Sequence, residues 1–340
     1  MRGQASINLQ YYRIIANGHQ GENLHRTPES GCTVNHALHM VAAMNGSDIL
    51  DSRYSWLRLL ITLLIATIGN VGMWAVIIIM PDVQAEFGVA RADASLPYTL
   101  TMVGFALGNL ITGRIVDRFG ITTALICSAL AIAFGYVLAG VSSSVVMLAA
   151  VQFIIGFGTA ASFGPLIADI SHWFIKRRGI AVGIAASGNY LSGAIWPMLL
   201  SGILADYGWR SVYYVLAALT VALMVPLALM LKRRIPEAAS VHADTMSRTN
   251  ARSVSFSPRT LQWLLALAGI GCCVAMSMPQ VHIVSLCTDL GYGPAVGAEM
   301  LSLMLMGGVV SRLISGLIAD RLGGVMTLLI GSTLQCIALF

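Results

Sequence analysis

Long apolar runs separated by short polar joints set the pattern of this chain. Runs of about 20 residues fall at 56–80, 97–116, 121–141, 144–170, 179–204, 211–231, 261–287 and 296–319. A helix needs about 20 apolar residues to cross a hydrocarbon core of about 30 Å, so the pattern predicts eight crossings. A ninth run opens near 325 and meets the C-terminus at Phe340. Its 16 or so residues rise about 24 Å as a helix, short of a full crossing. The predicted fold class is an all-α polytopic membrane protein.

The joints divide the chain. Residues 1–54 form a polar N-terminal extension, expected to be disordered. Residues 55–231 carry six spans, and the basic, Ser-rich stretch 232–260 reads as a linker between two membrane halves. Residues 261–340 hold spans 7, 8 and part of 9, so the second half reads as truncated. No cleavable signal peptide is evident in the extension. Met40 or Met44 is a second possible start.

Composition strengthens this reading. With 57% hydrophobic and 10% charged residues, the chain is not a soluble globular protein. The net charge of +5 does not point to nucleic acid, because the basic residues are not gathered on one polar face. They cluster in joints instead. One side carries Arg114, Arg118, Lys176 to Arg178, Lys232 to Arg234, Arg248, Arg252, Arg259 and Arg321. The other carries Arg91 and Arg210 among Asp82, Glu86, Asp93, Asp206, Asp289 and Glu299. Basic joints stay in the cytoplasm. The expectation is a multi-pass monomer in the lipid bilayer of a cell membrane, taken as a bacterial inner membrane, with a cytoplasmic N-terminus.

Catalytic and metal chemistry find little support. Cys32, His36 and His39 stand at spacings a metal could use, but a fourth ligand is missing. Five other cysteines lie in or beside apolar runs, where Cys acts as a small hydrophobe. No span carries a His cluster, and no Ser/His/Asp set or nucleotide loop stands out. The chain is read as a non-enzyme with no cofactor.

The most informative feature is a repeat. "GRIVDRFG" (113–120) recurs as "GLIADRLG" (316–323), 203 residues later, and 86–120 slides onto 289–323 without a gap. Glu86-Phe87-Gly88 meets Asp289-Leu290-Gly291, and Gly104 meets Gly307. Chance apolar similarity would not reproduce loop charges at one offset. Gly113 and Gly316 are expected to admit a close neighbouring helix. Asp117 and Asp320 would pair with Arg118 and Arg321 or meet the positive N-terminus of another helix. Gly120 and Gly323 end the octets. Together the two octets read as a conformational latch rather than simple topology signals.

Those octets resemble the loop signature of the major facilitator superfamily, after spans 2 and 8. A second stretch, "WFIKRRGIAVGIAASGNYLSG" (173–193), resembles the start of span 5 in monocarboxylate-porter-like members, including the oxalate/formate antiporter group. "DYGWR" (206–210) and "VHIVSLCTDLG" (281–291) add to that likeness. The resemblance implies a secondary transporter of small organic anions, working by alternating access as a symporter or antiporter. There are departures. Gln152 stands where many proton-coupled antiporters have Arg, the first span lacks the Lys of animal monocarboxylate transporters, and Gly308 replaces an expected Asp.

One basic residue is read as lying well inside a span. Arg312 stands eight residues before Asp320, about 12 Å up the helix and near the midplane. It either grips a substrate carboxylate with its planar fork or snorkels to the interface. The resemblance implies the first, since the family places a substrate Arg here. Its repeat mate is Asn109. Asn70, Trp74 and Tyr190, with Tyr98, Asn189 and Gln280, are further cavity candidates. His282 could relay a proton, and Asp169 is expected to pair with nearby bases. A sensor on the same scaffold and a transport-inactive fragment are the alternative readings.

Overall fold

A computed structural model describes residues 50–233 and 257–339, and every regular element there is helical. The expected extension up to residue 49, with Cys32, His36 and His39, and most of the 232–260 linker lie outside the described residues.

Span 1 is two helices, α1 (Arg53–Gly69) and α2 (Val71–Ile78), broken at Asn70. Ser52 starts it as an N-cap, its Oγ accepting the Ser55 N–H at 3.3 Å. The short helix α3 (Met80–Phe87) ends at Gly88, whose φ of 62° is left-handed. A single turn, α4 (Arg91–Ala94), then leads into α5 (Leu96–Phe119), which is span 2. Span 3 is α6 (Ile121–Gly140). Span 4 joins α7 (Val145–Thr159) to α8 (Gly164–Ser171) across a 3-10 turn, Ala160–Ser162.

The predicted runs 179–204 and 211–231 are not separated by a loop. Helix α9 (Arg178–Leu219) runs through both and bends where Gly208 takes φ 76° and ψ 170°. A π turn, Thr220–Met224, and α10 (Val225–Met230) finish span 6. Spans 7, 8 and 9 are α11 (Pro258–Asp289), α12 (Gly293–Leu322) and α13 (Gly324–Leu339). Among the described residues, seven helices are long and apolar enough to cross a membrane. The Gly208 bend turns one of them into two crossings.

The core of the first six spans shows why they hold together. Tyr136 and Tyr213 are fully buried and stack at 5.8 Å, with Leu125, Ile132, Leu148 and Ile155 around them. Buried Gln152, at the position where an Arg was expected, donates from Nε2 to the Tyr213 hydroxyl at 2.5 Å. Its Oε1 accepts from Thr101 at 3.3 Å, so this amide ties spans 2, 4 and 6. Spans 2 and 4 touch backbone to backbone. A Cβ on Gly104 would stand 2.2 Å from the Phe153 carbonyl oxygen, and one on Gly156 2.0 Å from that of Thr101. Small residues permit such contact between membrane helices, where dispersion rather than water exclusion drives packing.

Candidate functional site

The two repeated octets share their backbone. Gly120 ends span 2 at φ 86° and ψ 162°, and Gly323 ends span 8 at φ 85° and ψ 164°. This region is essentially open to Gly alone. It lets each span stop and the next begin at the following residue, Ile121 or Gly324.

Their surroundings differ. Asp320 sits over the start of span 5, where its carboxylate accepts the Gly179 N–H at 2.5 Å and the Ile180 N–H at 2.9 Å. An anion at a helix N-terminus satisfies free N–H groups and the helix dipole together. Gly316 makes the approach possible, since a Cβ there would stand 2.8 Å from the Gly179 carbonyl oxygen. The first copy has no such neighbour among the described residues. Asp117 is exposed, and a side chain added at Gly113 would meet open space. Arg118 lies against the Phe119 ring at 5.4 Å, and Arg321 is exposed. The close approach expected of both glycines is therefore met at Gly316 and not at Gly113.

From Asp320, spans 5 and 8 run along one another as the seam between the two groups of helices. A Cβ on Gly183 would stand 2.9 Å from the Arg312 carbonyl oxygen, and one on Gly308 2.7 Å from the Tyr190 ring. Where an Asp was expected at 308, then, the seam is filled by an aromatic ring instead.

Arg312 lies on this seam, half-buried and ten residues before the end of α12. Its Cζ stands 3.9 Å from the centroid of the Tyr190 ring, and Nη1 donates to the Ala186 carbonyl. Tyr190 is held from its other end, its hydroxyl lying 2.6 Å from the Met276 sulfur of span 7. Trp74 packs in the same cluster, its Nε1 donating to the Asn189 carbonyl at 2.9 Å. The fold thus brings Arg312, Tyr190 and Trp74 together from spans 8, 5 and 1.

Three other candidates are placed elsewhere. Asn109 donates to the Phe105 carbonyl at 2.9 Å and packs against Gly164 of span 4. Asn70 is fully buried at the break in span 1, donating to the Ala66 carbonyl at 2.6 Å and to that of Ser162 at 3.3 Å. Its amide thus links the break in span 1 to the 3-10 turn of span 4. His282 is exposed on span 7.

Sequence reasoning passed over Arg58. Although it lies in span 1, it is only 1% exposed. Its Nε and Nη2 grip Asp169 at 2.9 and 3.0 Å, and Nη1 donates to the carbonyls of Leu231 and Arg233 at 3.2 and 2.9 Å. The Trp173 ring lies 4.6 Å from its Cζ. Arg58 lies near the end of its span, so a buried basic residue stands there as well as the one deeper in span 8. The available signal was a pair of opposite charges near the same end of two apolar runs.

At the opposite, acidic end, Arg91 binds Asp289 through both nitrogens at 2.8 and 2.9 Å and so crosses the seam. Met80, Ala94 and Val281 pack behind it. Glu86, the repeat mate of Asp289, pairs within its own half, accepting from Trp209 at 2.6 Å and Arg210 at 2.7 Å.

Comparison with known proteins agrees with this architecture. Two crystal structures of a bacterial homolog of the human lysosomal transporter Spinster share the fold. Their TM-scores are 0.55 for the occupied and 0.52 for the unoccupied inward-facing form. Each is 18% identical and covers 80% of this chain, which spans 62% and 64% of theirs. The MFS-type transporter pytF of Aspergillus terreus is 27% identical over 69% of the chain and 78% of its own length. Monocarboxylate transporter 13 of Rattus norvegicus is 28% identical over 68% of the chain and 52% of its own length. The probable sulfoacetate transporter SauU of Cupriavidus necator is 26% identical over 71% of the chain and 59% of its own length. The chain thus spans little more than half of these last two relatives. With residues 61–340 matching the family as a whole, this multi-pass membrane protein belongs to the Major Facilitator Superfamily.

Proposed function

We propose that the protein is a secondary transporter of small organic anions, monocarboxylates or dicarboxylates, bound at the seam through Arg312. One observation carries the reading. Arg312 is a half-buried guanidinium inside a span, and among the described residues it has no carboxylate partner. An intramembrane charge costs at least a few kcal/mol and marks a substrate pathway by default. A guanidinium fork suits a carboxylate through two parallel hydrogen bonds. Tyr190 supplies an aromatic wall beside it, and Trp74 packs in the same cluster as Tyr190.

The names of two relatives, a monocarboxylate transporter and a probable sulfoacetate transporter, support an anionic cargo. In this reading the halves rock about the seam. The Arg91–Asp289 pair closes the acidic end in one state, and the Asp320 cap holds the basic end. The basic joints put that end, and the N-terminus, in the cytoplasm. Asp117 would play the part of Asp320 toward the second half.

The test is uptake of labelled pyruvate, lactate, oxalate and sulfoacetate by proteoliposomes. Arg312→Ala should lower affinity about tenfold to hundredfold, the loss of a charge-assisted contact of about 1.5–3 kcal/mol. Arg312→Lys should recover little, since ammonium lacks the fork. Equal uptake by Arg312→Ala and the parent would assign the arginine to structure.

A further inference from the structure

We propose a second anion site, away from the seam, that holds the phosphate of an anionic phospholipid headgroup. It goes beyond the transport reading and does not depend on it. A cavity of about 530 Å³ opens at the basic end where spans 1, 2, 3, 4 and 6 meet. Lys232 and Arg233 line it, just past the end of span 6. Arg58 and Asp169 form its floor, but they neutralise one another, and four guanidinium N–H bonds of Arg58 are already used. Among the described residues Lys232 and Arg233 have no carboxylate partner, so they bring two positive charges to the cavity beyond that pair. Arg233 is steadied at the rim, its Cζ 4.9 Å from the Tyr54 ring.

The first turn of span 3 also lines the cavity and supplies hydrogen-bond donors. Thr122 and Thr123 bring two hydroxyls, in the first turn of a span whose cap, Gly120, offers no side-chain acceptor. A phosphodiester, with one negative charge and several acceptor oxygens, matches a cavity lined by two cations and two hydroxyls.

The rim selects the source of the phosphate. Phe119 and Leu229 line the cavity and, like neighbouring Met230, are exposed on its outer side. Trp56, partly exposed, stands at this end of the bundle, where indole favours the membrane interface. A free ion gains nothing from an apolar rim, whereas a lipid lays its chains along it. Basic pockets between spans at this depth are a recurrent setting for anionic headgroups.

The experiment uses the full chain, purified in detergent and titrated with phosphatidylglycerol, phosphatidylcholine or inorganic phosphate. Lipids retained per protein are counted by native mass spectrometry. One phosphatidylglycerol should be held in preference to phosphatidylcholine, and millimolar phosphate should not displace it. Lys232→Gln with Arg233→Gln should weaken retention tenfold or more, at about fivefold per charge. Arg114→Gln with Lys176→Gln removes two exposed charges at the same end but outside the cavity, and should change retention less than twofold. Equal losses in both double variants, equal retention of the two lipids, or displacement by phosphate would each overturn the proposal. Should the cavity variant fail to fold, Thr122→Val with Thr123→Val replaces it. A loss of about threefold is expected there, and unchanged retention overturns the site.

Discussion

Arg58 and Arg312 both lie within spans, one buried and one half-buried, and they are satisfied to different degrees. Arg58 makes four hydrogen bonds to a carboxylate and two carbonyls and lies beside an indole face. Arg312 rests on a phenol face and donates to one carbonyl. A guanidinium has five N–H donors. Arg58 has almost none left to offer a ligand, while Arg312 keeps most of its capacity. Burial alone would have ranked Arg58 first as a functional residue, and the count of spent donors reverses that order.

The comparison breaks most readily at Arg58. Replacing it with Gln leaves Asp169, which is 19% exposed, without its partner, and should cost about 2–4 kcal/mol, below the full loss of a buried pair. Arg312→Gln leaves no carboxylate behind and should cost less than about 1 kcal/mol. Melting followed by circular dichroism in one detergent should separate the two variants by several degrees. Similar melting points would mean that the two arginines are equally structural.

The repeated octets allow a finer test, because they have the same backbone and different neighbours. Gly316→Leu forces a side chain into the Gly179 backbone and should cost about 1–3 kcal/mol as overpacking. Gly113→Leu points into open space and should be close to neutral. Next in size is Asp320→Asn. It keeps the shape and weakens the cap on span 5, at about 0.5–2 kcal/mol, whereas Asp117→Asn should fall within about 0.5 kcal/mol. A larger loss at 117 than at 320 would contradict the asymmetry.

Much of this was legible in the sequence. Span number and order follow from apolar run length, because lipid forbids an unpaired backbone and leaves helices the simplest solution. The octets were legible because Gly and charge recur at one offset. What could not be read was pairing at a distance. Asp117 and Asp320 look alike in sequence, and only the position of span 5 separates them. Arg58 was hidden at the margin of its run, where a charge reads as a loop signal. Asn70 reads as a cavity residue because a polar group inside a span suggests a ligand, while in the fold its amide bonds the Ser162 carbonyl of span 4 across the helix break. The polar joint between the runs 179–204 and 211–231 suggested a loop, but a bend at Gly208 joins two helices there instead.

The smallest effect expected is at the acidic end, where the other pair of repeat mates divides. Asp289 reaches across the seam to Arg91, while Glu86 stays in its own half with Arg210 and Trp209. The hydrogen bond from Arg210, then that from the Trp209 indole, hold the Glu86 carboxyl below the ordinary glutamate range. The folded value is lower than the unfolded one. The contact therefore stabilises fully above the ordinary glutamate pKa of about 4.3, and it is lost as pH falls through the depressed value. The pair is exposed and screened, so the change in stability should be small. Trp209 gives it a local reporter, since protonating Glu86 frees an indole N–H and loosens the Arg210 guanidinium lying 4.2 Å from its ring. Tryptophan emission followed from pH 7 to pH 3 should contain a step that Glu86→Gln lacks, its emission already matching the acid limit of the parent. Asp289→Asn should retain that step, because its pair lies across the seam and leaves Trp209 untouched. A step that survives Glu86→Gln unchanged would assign the titration elsewhere and remove the distinction between the two mates.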